Sequence, residues 1–507
     1  MTKLPTGWSA VGLLDASSLL RGVTYTRADA SDVPFEGSIP VVRANNIQAR
    51  AFDLRDLVYV PDRLVSDAQR IRKGDVVVAT SSGSISVVGK AVQAVEDMRF
   101  GFGAFCGLLR PSAEIDPRYF GHFFASDAYR GAVSSMARGV SINNLKRDHF
   151  AILSLALAPR AEQKRIADKL DAVLARVDAC RDRLNRVPAI FKRFRQSVLA
   201  AANSGKLTEE WRSTNPAISD AAKLAQILHA THESVGGHKA GNAAAPTEDV
   251  HDLSADLFPP EWALVTLRDL VLPDRPITYG ILKPGPELED GVPYVRVADF
   301  PGEKLNLSTI RKTSPKMDDE FKRSRLRPGD VLLSIRGTVG RLIMIPQALD
   351  GANITQDSAR LSIQPAASRD YVLWYLRSEM AQSRMKSATK GVAVRGINIG
   401  DVRALQVPLP SRDEQDEIVR RVESLFAWTD RLEARHAAAR AHVERLTPAL
   451  LAKAFRGELV PQDPADEPAS ELLKRLGQRP ADNSTSPPKR QSSKRSRAIA
   501  AQAASSA

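Results

Sequence analysis

The segments Pro159-Arg-Ala-Glu-Gln-Lys-Arg-Ile166 and Pro410-Ser-Arg-Asp-Glu-Gln-Asp-Glu-Ile418 each open a long stretch with a helical repeat of apolar residues. After each opening, apolar side chains recur at alternating steps of four and three, which is the a/d pattern of a heptad repeat. The a/d positions are Ile166, Leu170, Val173, Val177, Cys180, Leu184 and Val187 in the first stretch, and Ile418, Val422, Leu425, Thr429, Leu432, His436, Ala439, Val443, Leu446 and Leu450 in the second. A helix of this kind needs another helix to cover its apolar seam, so we predict that the two stretches pair with each other.

The two helix openings belong to an internal duplication. Short motifs from before, within and after the helices occur twice, in the same order and 252 to 255 residues apart. The repeated pairs include Leu4-Pro-Thr-Gly-Trp8 with Phe258-Pro-Pro-Glu-Trp262, Ile71-Arg-Lys-Gly-Asp-Val76 with Leu326-Arg-Pro-Gly-Asp-Val331, and Gly205-Lys-Leu207 with Gly457-Glu-Leu459. The chain is therefore predicted to contain two copies of one module, each a globular domain followed by a long helix.

Proline and glycine residues set the expected ends of the helical stretches. Pro188 removes a backbone N–H and clashes with the preceding turn, so the first helix is predicted to break near it. A second segment over residues 189–202 is expected to end at Gly205, because glycine readily adopts the left-handed conformation found at helix ends. In the second copy, Pro448 is the expected start of a similar segment that ends at Gly457.

Each globular part mixes strand and helix signals. Val76–Ala79 and Val331–Ser334 are short apolar runs after a Gly-Asp turn, and they are predicted to be buried strands. Residues 118–136 and 369–385 carry aromatic and apolar side chains at helical spacing, and each range is predicted to form one helix. The pattern predicts an α+β domain of about 150 residues, used twice.

The predicted fold class is α+β, with two similar mixed α/β domains separated by a pair of long antiparallel coiled-coil helices and related by a pseudo-two-fold repeat. The expected boundaries are residues 1–158 for the first domain, 159–211 for the central long helix region, 212–257 for a linker, 258–409 for the second domain, 410–461 for the distal long helix region, and 462–507 for a basic, disordered C-terminal extension.

The composition favours a nucleic-acid partner and a reducing compartment. The 507 residues carry a net charge of +13, which favours an acidic partner; a basic surface without such a partner is the alternative. Two cysteines, Cys106 and Cys180, exclude a disulfide framework and a thiolate zinc site, and they fit a cytoplasmic protein. The sequence predicts neither a membrane span nor a secretory signal.

Motifs of catalysis are absent or incomplete. The segment Gly83-Ser-Ile-Ser-Val-Val-Gly89-Lys90 has five residues between its glycines where a phosphate loop has four, and Ala91 stands where that loop needs serine or threonine. Phe100-Gly-Phe-Gly103 resembles a glycine-rich cofactor turn only loosely. The N/D-P-P-F/Y motif of a DNA amino-methyltransferase is also missing, so the chain is predicted not to be an enzyme by itself.

The duplicated motifs together resemble those of the specificity subunits of type I restriction–modification systems. The resemblance covers nearly the whole chain and rests on the repeated Glu-Gln helix openings, the heptad helices, the Gly-Lys-Leu and Gly-Glu-Leu endings and the paired P-x-x-W and G-D-V motifs. One departure lies between the copies, since two residues separate Pro159 from Glu162 but three separate Pro410 from Glu414. This difference precedes the helix proper and is not expected to matter.

The resemblance implies a non-catalytic DNA-binding scaffold. Each globular part would be a target recognition domain that reads one half of a split, asymmetric site in double-stranded DNA. The helices would fix the unread spacer and dock two methyltransferase subunits, which motor-nuclease subunits join for cleavage. S-adenosylmethionine, ATP and magnesium would be cofactors of those partners, and no cofactor or metal is expected in this chain. The resemblance places the protein in the cytoplasm of a bacterium or archaeon.

Side-chain chemistry selects candidate DNA contacts, because Arg pairs with guanine, Asn or Gln pairs with adenine, and Lys, Arg and loop N–H groups bind phosphates. For each candidate, a solvated turn without DNA contact is the alternative. The candidates in the first domain are Arg43, Asn45, Asn46, Ser81, Ser82, Ser84, Arg138, Asn143, Asn144, Lys146 and Arg147, and those in the second are Arg296, Arg336, Thr338, Arg341, Lys390, Arg395 and Asn398.

The Glu-Gln pairs at the helix openings have two interpretations. Glu162, Gln163, Glu414 and Gln415 are either contacts to partner subunits or between the modules, or first-turn residues that are favoured by the helix dipole. A different class of function also remains open for the whole chain: a coiled-coil adaptor whose two end domains bind proteins rather than DNA.

Overall fold

The structure is a computed structural model of the 507-residue chain. It describes residues 4–48, 51–82, 84, 87–137, 144–215, 220–234, 253–302, 304–390 and 395–477. The chain divides into two compact units. Unit 1 contains Met1–Arg181 and Ala441–Ala507, and unit 2 contains Asp182–Arg440. Each unit thus combines one globular domain with the start of one long helix and the end of the other.

Unit 1 is built from short strands and helices around the start of the long helix α5. Its strands are β1 Ser9–Gly12, β2 Ser17–Arg21, β3 Ser38–Val42, β4 Val58–Pro61, β5 Val76–Ala79, β6 Ala91–Gln93, β7 Gly101–Phe102, β8 Cys106–Pro111 and β9 Ser154–Leu157. Its helices are α1 Leu13–Ala16, α2 Pro117–Phe123, α3 Asp127–Ala137, α4 Arg147–Ala151, the first part of α5 Arg160–Asn203, the end of α12 Arg412–Phe455, and α13 Ala469–Gly477.

Unit 2 repeats this plan around the start of α12. Its strands are β10 Ala263–Thr266, β11 Thr278–Tyr279, β12 Val292–Val295, β13 Arg311–Thr313, β14 Val331–Ser334, β15 Leu342–Met344, β16 Asn353–Ile354, β17 Ser358–Leu361 and β18 Gln406–Leu409. Its further helices are α6 Glu209–Thr214, α7 Ala221–Ser234, α8 Pro315–Glu320, α9 Arg369–Arg377, α10 Glu379–Ser387 and α11 Ile399–Ala404.

The sheets of the two units have the same topology. In unit 1, β1 pairs with β9, and the other strands form sheets in the orders β2-β8-β5-β6 and β4-β3-β7. In unit 2 the corresponding orders are β10-β18, β11-β17-β14-β15 and β13-β12-β16. In each unit the three-stranded sheet contains one parallel pair, β3 with β7 and β12 with β16. The predicted α+β class and internal repeat are confirmed.

The repeated Gly-Asp turn explains why both central strands begin where they do. Gly74 and Gly329 have φ angles of 90° and 87°, which glycine adopts without steric cost. The next residue, Asp75, accepts the N–H of Arg72 at 2.7 Å and forms an ion pair with Arg110. In unit 2 the corresponding carboxylate, Asp330, accepts the N–H of Arg327 and forms an ion pair with Arg275, which closes the turn before β14. Both predicted central strands, β5 and β14, are present with all four residues buried.

The helical ranges predicted between the central strand and the long helix are each split in two. In unit 2, Ser378 ends α9, and its side chain accepts the N–H of Ala381 at the start of α10. In unit 1, Ser126 separates α2 from α3 and donates its hydroxyl to the carbonyl of Phe123 at 2.6 Å. Serine competes for backbone hydrogen bonds in this way, so one continuous helix was the wrong prediction for both ranges.

The two long helices run through their prolines, contrary to the predicted break. Both α5 and α12 have 44 residues and contain Pro188 and Pro448 respectively. Pro188 cannot donate to the carbonyl of Leu184, one turn earlier. The Nε2 atom of His436 lies 2.8 Å from that carbonyl oxygen and carries the proton, since a carbonyl only accepts. A donor from the second helix thus replaces the bond that the proline removes.

The helix segments within unit 2 are antiparallel. Arg195 forms ion pairs with Asp430 at 2.6 Å and with Glu433 at 3.2 Å. Nearer the start of α12, the end of α5 shares an apolar core with Ile418 and Val422. Residue numbers therefore fall along α12 as they rise along α5, and the predicted antiparallel pairing holds within this unit.

The segments that follow the long helices fold onto the globular domains. Gly205 and Gly457 both have a φ of 73°, the left-handed conformation expected of glycine at a helix end. In the range predicted to be a linker, α7 buries Leu228, and His232 hydrogen-bonds the carbonyl of Val271 at 2.8 Å. This part of the range is structured and belongs to unit 2.

The C-terminal extension is also structured over its first part, contrary to the predicted disorder. Helix α13 buries Ala469, Leu472 and Leu476 in the core of unit 1. Arg475 adds ion pairs with Glu114 and with Glu467. This helix was not predicted because its nine residues give only a brief apolar repeat in the sequence. Residues 478–507, where disorder is also predicted, lie outside the described residues.

The contact between His436 and the carbonyl of Leu184 leads to a double-mutant prediction. His436→Leu leaves that carbonyl without a donor, so it should lower the free energy of unfolding by about 1 kcal/mol in urea titrations followed by circular dichroism. Pro188→Ala supplies a backbone N–H to the same carbonyl, and His436→Leu should then cost much less. His442→Leu, at an exposed position of the same helix, is the matched control. If His436→Leu lowers the free energy of unfolding equally in the presence and absence of Pro188, His436 does not replace the hydrogen bond that the proline removes.

Candidate nucleic-acid interface

Two loops of unit 2 are joined by backbone hydrogen bonds into one surface. The unit 2 loop pair consists of residues 335–341 and the described residues of 389–398. The N–H of Gly337 donates to the carbonyl of Arg395 at 2.9 Å, and the N–H of Ile397 donates to the carbonyl of Ile335 at 2.9 Å. Gly396 forms isolated bridges with both Arg336 and Lys390. The fold therefore brings together residues that lie about 60 positions apart in the sequence.

The unit 2 loop pair is basic and open to solvent. Arg336, Lys390 and Arg395 are exposed, and Arg341 is half-buried. Within the part of the chain that the structure describes, none of these four cations forms an ion pair. The exposed Asn398 caps helix α11 through the N–H of Gly400 at 3.3 Å. A set of cations without acidic partners is suited to bind phosphates, because no internal ion pair has to be broken first.

Unit 1 contains a corresponding pair of loops. The unit 1 loop pair consists of the described residues of 80–84 and residues 144–147. Ser81 and Asn144 form an isolated bridge, and the N–H of Leu145 donates to the carbonyl of Thr80 at 2.6 Å. Lys146 and Arg147 are exposed and begin helix α4. Ser82 is half-buried and Ser84 is exposed, whereas Arg138 and Asn143 lie outside the described residues.

The candidates Arg43, Asn46 and Arg296 occupy equivalent turns, and their side chains are used within the fold. Asn46 is buried and accepts the N–H of Arg43 at 2.8 Å. Arg296 pairs with the fully buried Asp299 and also donates to the carbonyl of Thr309 at 2.7 Å. These contacts favour a structural role for the three residues, while the neighbouring Asn45 is exposed. Thr338, in the unit 2 loop pair, is exposed as well.

One exposed aromatic residue at the unit 1 loop pair, Phe105, was not among the predicted DNA contacts. Phe105 is 68% exposed, and its carbonyl accepts the N–H groups of Thr80 and Ser81 at 2.9 and 3.1 Å. The corresponding carbonyl in unit 2 belongs to Asp357, which accepts the N–H of Ile335. An exposed aromatic ring beside cations can stack on or wedge between bases. A single phenylalanine carries no sequence signal of this placement.

The Glu-Gln pair at the start of α5 is buried. Glu162 accepts the indole N–H of Trp8 at 2.9 Å through its Oε2 atom. Gln163 accepts the N–H of Asp116 at 2.9 Å and donates to the carbonyl of Ala158 at 2.8 Å. The pair therefore ties the first residues of the domain, the loop before α2 and the last strand to the helix start.

The Glu-Gln pair at the start of α12 makes the same contacts and two more. Glu414 accepts the indole N–H of Trp262 at 3.0 Å, and Gln415 accepts the N–H of Ser368 at 2.7 Å. Glu414 also accepts the hydroxyl of Thr208 at 2.7 Å and pairs with Arg212. These two residues follow α5, so Glu414 joins the end of one module to the helix of the next. This supports inter-module contacts as the role of Glu414.

Both tryptophans of these buried pairs could have been found from the sequence. The P-x-x-W motif occurs in both copies, but no spacing rule links Trp8 to Glu162 across 154 residues. Thr208 and Arg212 have no counterpart in the second copy, so the duplication gave no signal for them.

The predicted seam residues fall into two groups. Near the helix starts, Ile166 and Leu170 in unit 1 and Ile418 and Val422 in unit 2 are fully buried and pack with their own globular domains. Of the other members, Val177, Thr429 and Val443 are buried, and Val173, Leu184, Val187, Leu425, Leu432, His436, Leu446 and Leu450 are half-buried. Cys180 and Ala439 are exposed, contrary to the predicted seam. The apolar repeat thus serves helix–domain packing as well as helix–helix packing.

Neither a membrane-spanning helix nor a metal site is present in the described residues. No helix in the described ranges is both long and apolar enough to cross a membrane. No group of three or more His, Cys, Asp or Glu side chains in those ranges is placed to hold a metal ion.

A family comparison identifies the class of protein. Residues 259–439 match the model of the type I restriction modification DNA specificity domain. The chain is 36% identical over 481 residues to the type I restriction enzyme EcoKI specificity subunit of Escherichia coli, with 92% of each chain covered. It is 34% identical over 472 residues to the StySPI specificity subunit of Salmonella potsdam, again with 92% of each chain covered.

The chain therefore belongs to the family of type I restriction enzyme specificity subunits. The fold agrees with that of a solved relative, the HsdS subunit from Thermoanaerobacter tengcongensis. The two structures share a TM-score of 0.53 at 21% identity, over 90% of this chain and 98% of the other.

The contrast between Glu162 and Glu414 leads to a stability prediction. Burial raises the pKa of Glu162 more than the Trp8 hydrogen bond and the Arg165 charge lower it. A carboxyl group with a raised folded-state pKa stabilises the fold at low pH, and this stabilisation is lost as the pH rises above 4.5, the ordinary value for glutamate. Glu162→Gln keeps an acceptor for Trp8, so it should remove this pH dependence at little cost near pH 7.

Glu414→Gln should behave differently, because it weakens the ion pair with Arg212 and should cost about 1.5–3 kcal/mol near pH 7. Calorimetric unfolding of both variants between pH 4 and 7 provides the comparison. If Glu162→Gln and Glu414→Gln lower the free energy of unfolding equally at pH 7, the ion pair of Glu414 with Arg212 does not distinguish the two carboxylates.

Proposed function

We propose that this chain reads a bipartite, asymmetric site in double-stranded DNA, with one recognition domain for each half. The loop pair of unit 1 contacts one half-site, and the loop pair of unit 2 contacts the other. Because the two loop pairs carry different side chains, the two half-sites differ in sequence. The type I restriction enzyme relatives support this proposal through their designation as specificity subunits.

The observation that carries the proposal is the repeated loop pair with unpaired cations. In unit 2, Arg336, Lys390 and Arg395 stand exposed on two loops that are joined by backbone hydrogen bonds. Unit 1 has Lys146, Arg147 and the exposed Phe105 at the same place in its fold. Arginine binds guanine in a bidentate manner, lysine binds phosphate, and an aromatic ring can stack on bases. Loops that are joined by backbone hydrogen bonds and carry this chemistry favour DNA binding over a solvated turn.

The chain would act as a scaffold without catalysis of its own. Two methyltransferase subunits would dock on it for modification, and motor-nuclease subunits would join them for restriction in the cytoplasm. S-adenosylmethionine, ATP and magnesium would then be bound by those partners. The long helices α5 and α12 are the natural spacer and docking surface, since they are continuous over 44 residues each.

The alternative function is a coiled-coil adaptor whose domains bind proteins. The exposed apolar side chains Ile190 and Trp428 on the long helices favour some protein contact. The two functions are separated by a gel shift with the cognate duplex and a random duplex, in the presence of the methyltransferase subunits. Equal affinity for both duplexes would favour the adaptor.

The cations of the unit 2 loop pair provide a quantitative test. The triple substitution Arg336→Ala, Lys390→Ala and Arg395→Ala removes up to three phosphate-binding side chains. The slope of log affinity against log salt should therefore become shallower by about 0.9 for each phosphate that is no longer neutralised, or roughly 3 in all. Fluorescence anisotropy with labelled duplex DNA at several salt concentrations measures this slope.

A matched control removes the same charge elsewhere in unit 2. The control variant carries Lys223→Ala, Arg431→Ala and Arg435→Ala, all at exposed helix positions. Its salt slope should stay close to that of the unmodified chain. If both triple variants change the slope equally, the loop pair has no special part in DNA binding.

A further inference from the structure

Trp8 and Glu162 line one pocket, and Glu414, which accepts the indole N–H of Trp262, lines another. The Trp8 pocket of unit 1 has a volume of about 500 Å³ and is lined by the segments 6–9 and 462–470 together with Pro159 and Glu162. The Trp262 pocket of unit 2 has a volume of about 590 Å³ and is lined by the segments 204–215 and 259–261 together with Ser411 and Glu414. The two pockets occupy equivalent places in the internal repeat.

The Trp262 pocket contains an arginine of the chain itself. The guanidinium of Arg212 pairs with Glu414 Oε1 and donates to the carbonyl of Gly205 at 3.0 Å. Its Cζ atom lies 6.0 Å from the centre of the Trp262 ring, within the range of a cation–π contact. Thr208 donates a further hydrogen bond to the same carboxylate oxygen at 2.7 Å. Helix α6 carries Arg212 to this position.

The Trp8 pocket has no such arginine. The residues that correspond to Thr208 and Arg212 after the second long helix are Val460 and Pro464. Val460 packs against the apolar core of unit 1, and Pro464 lines the pocket. Between the end of α12 and α13 the chain forms turns and extended segments, so the second copy has lost the helix that carries the arginine in the first.

Glu162 is left with an oxygen that has no donor. Its Oε2 atom accepts the Trp8 indole, but Oε1 has no hydrogen-bond partner among the described residues, and the residue is 1% exposed. A carboxylate oxygen that is shielded from water and lacks a donor costs free energy. Because Glu162 forms part of the pocket wall and the last torsion of a glutamate is broad, a group in the pocket can reach this oxygen after a small adjustment.

The charge of the Trp8 pocket favours a cation. Among the residues that the structure describes, its lining includes the acids Glu162, Asp463 and Asp466 and contains no lysine or arginine. Arg165, which lies outside the lining, pairs with Asp466 at 2.6 Å, so its guanidinium is engaged with that carboxylate. The Trp262 pocket, in contrast, has Lys206 and Arg212 in its own lining.

We propose that the Trp8 pocket binds the guanidinium group of an arginine from a partner protein. This arginine takes the place that Arg212 takes in unit 2: it pairs with Glu162 and lies on the face of Trp8. A guanidinium suits the site better than an ammonium, because its planar fork pairs with a carboxylate and stacks on an aromatic ring. The occupant is peptidic, since in unit 2 an arginine on a short helix of the chain itself contacts the equivalent glutamate and tryptophan. The inference does not depend on DNA reading by the loop pairs.

The test uses the full chain, with its five tryptophans labelled with ¹⁵N in the indole ring. The probe is the peptide acetyl-Gly-Arg-Gly-amide, and the isosteric neutral control carries citrulline in place of arginine. Trp8→Phe and Trp262→Phe assign the two indole N–H signals. The arginine peptide should shift the Trp8 signal in a saturable manner and leave the Trp262 signal in place. The citrulline peptide should shift neither signal.

Matched variants separate a specific site from a general effect. Arg212→Ala removes the guanidinium that contacts Glu414 and Trp262, so the Trp262 signal should then respond to the arginine peptide. Pro464→Arg supplies an arginine to the Trp8 pocket and should abolish its response. Glu162→Gln should weaken the binding of the peptide by about tenfold, because the charge-assisted bond is lost.

Two results would overturn the proposal. The first is a Trp8 signal that does not move at peptide concentrations that shift the Trp262 signal of Arg212→Ala. The second is equal binding of the arginine and citrulline peptides. None of these measurements includes DNA. Their outcome therefore tests the arginine site separately from the proposed DNA-reading function.

Discussion

A buried carboxylate at the start of each long helix holds distant parts of the chain together. Glu162 and Glu414 each accept a tryptophan N–H from the first residues of the domain, and the glutamine that follows binds the loop before the next helices. Each of these hydrogen bonds offsets part of the free-energy cost of burying a carboxylate. The helix starts are therefore fixed against their domains, and the direction in which each helix leaves its domain is set at this point.

The continuity of the first long helix, α5, at Pro188 is supported by a second polar contact. A proline in a helix leaves one carbonyl without a donor, and His436 provides that donor to Leu184 from the other helix. Leu184 and His436 are equivalent positions of the internal repeat, 252 residues apart. The sequence differs at this pair, with leucine on one side and histidine on the other. The two copies of the module thus differ at this position, and the difference allows the histidine of the second copy to hydrogen-bond the first copy.

Much of the fold could be predicted from local patterns, whereas contacts between distant residues could not. The β5 and β14 strands and the Gly205 and Gly457 helix ends follow from short apolar runs and from glycine chemistry. The break at Pro188 was wrongly predicted, because the donor that compensates for the proline comes from 248 residues further along the chain. At the candidate DNA interface, the polar loops were found from their composition. The sequence could not tell that Arg296 is held by a buried aspartate or that Phe105 stands exposed.

Two similar units with different loop pairs suggest that one chain can read two unlike half-sites. The most direct measurement is methylome sequencing of cells that contain this chain and its partner subunits, compared with cells in which the unit 2 loop cations Arg336, Lys390 and Arg395 are replaced by alanine. The expected result is a bipartite methylated motif in which the substitutions relax or remove one half and leave the sequence of the other half unchanged. A single continuous motif, or an equal change in both halves, would contradict the division of reading between the two units.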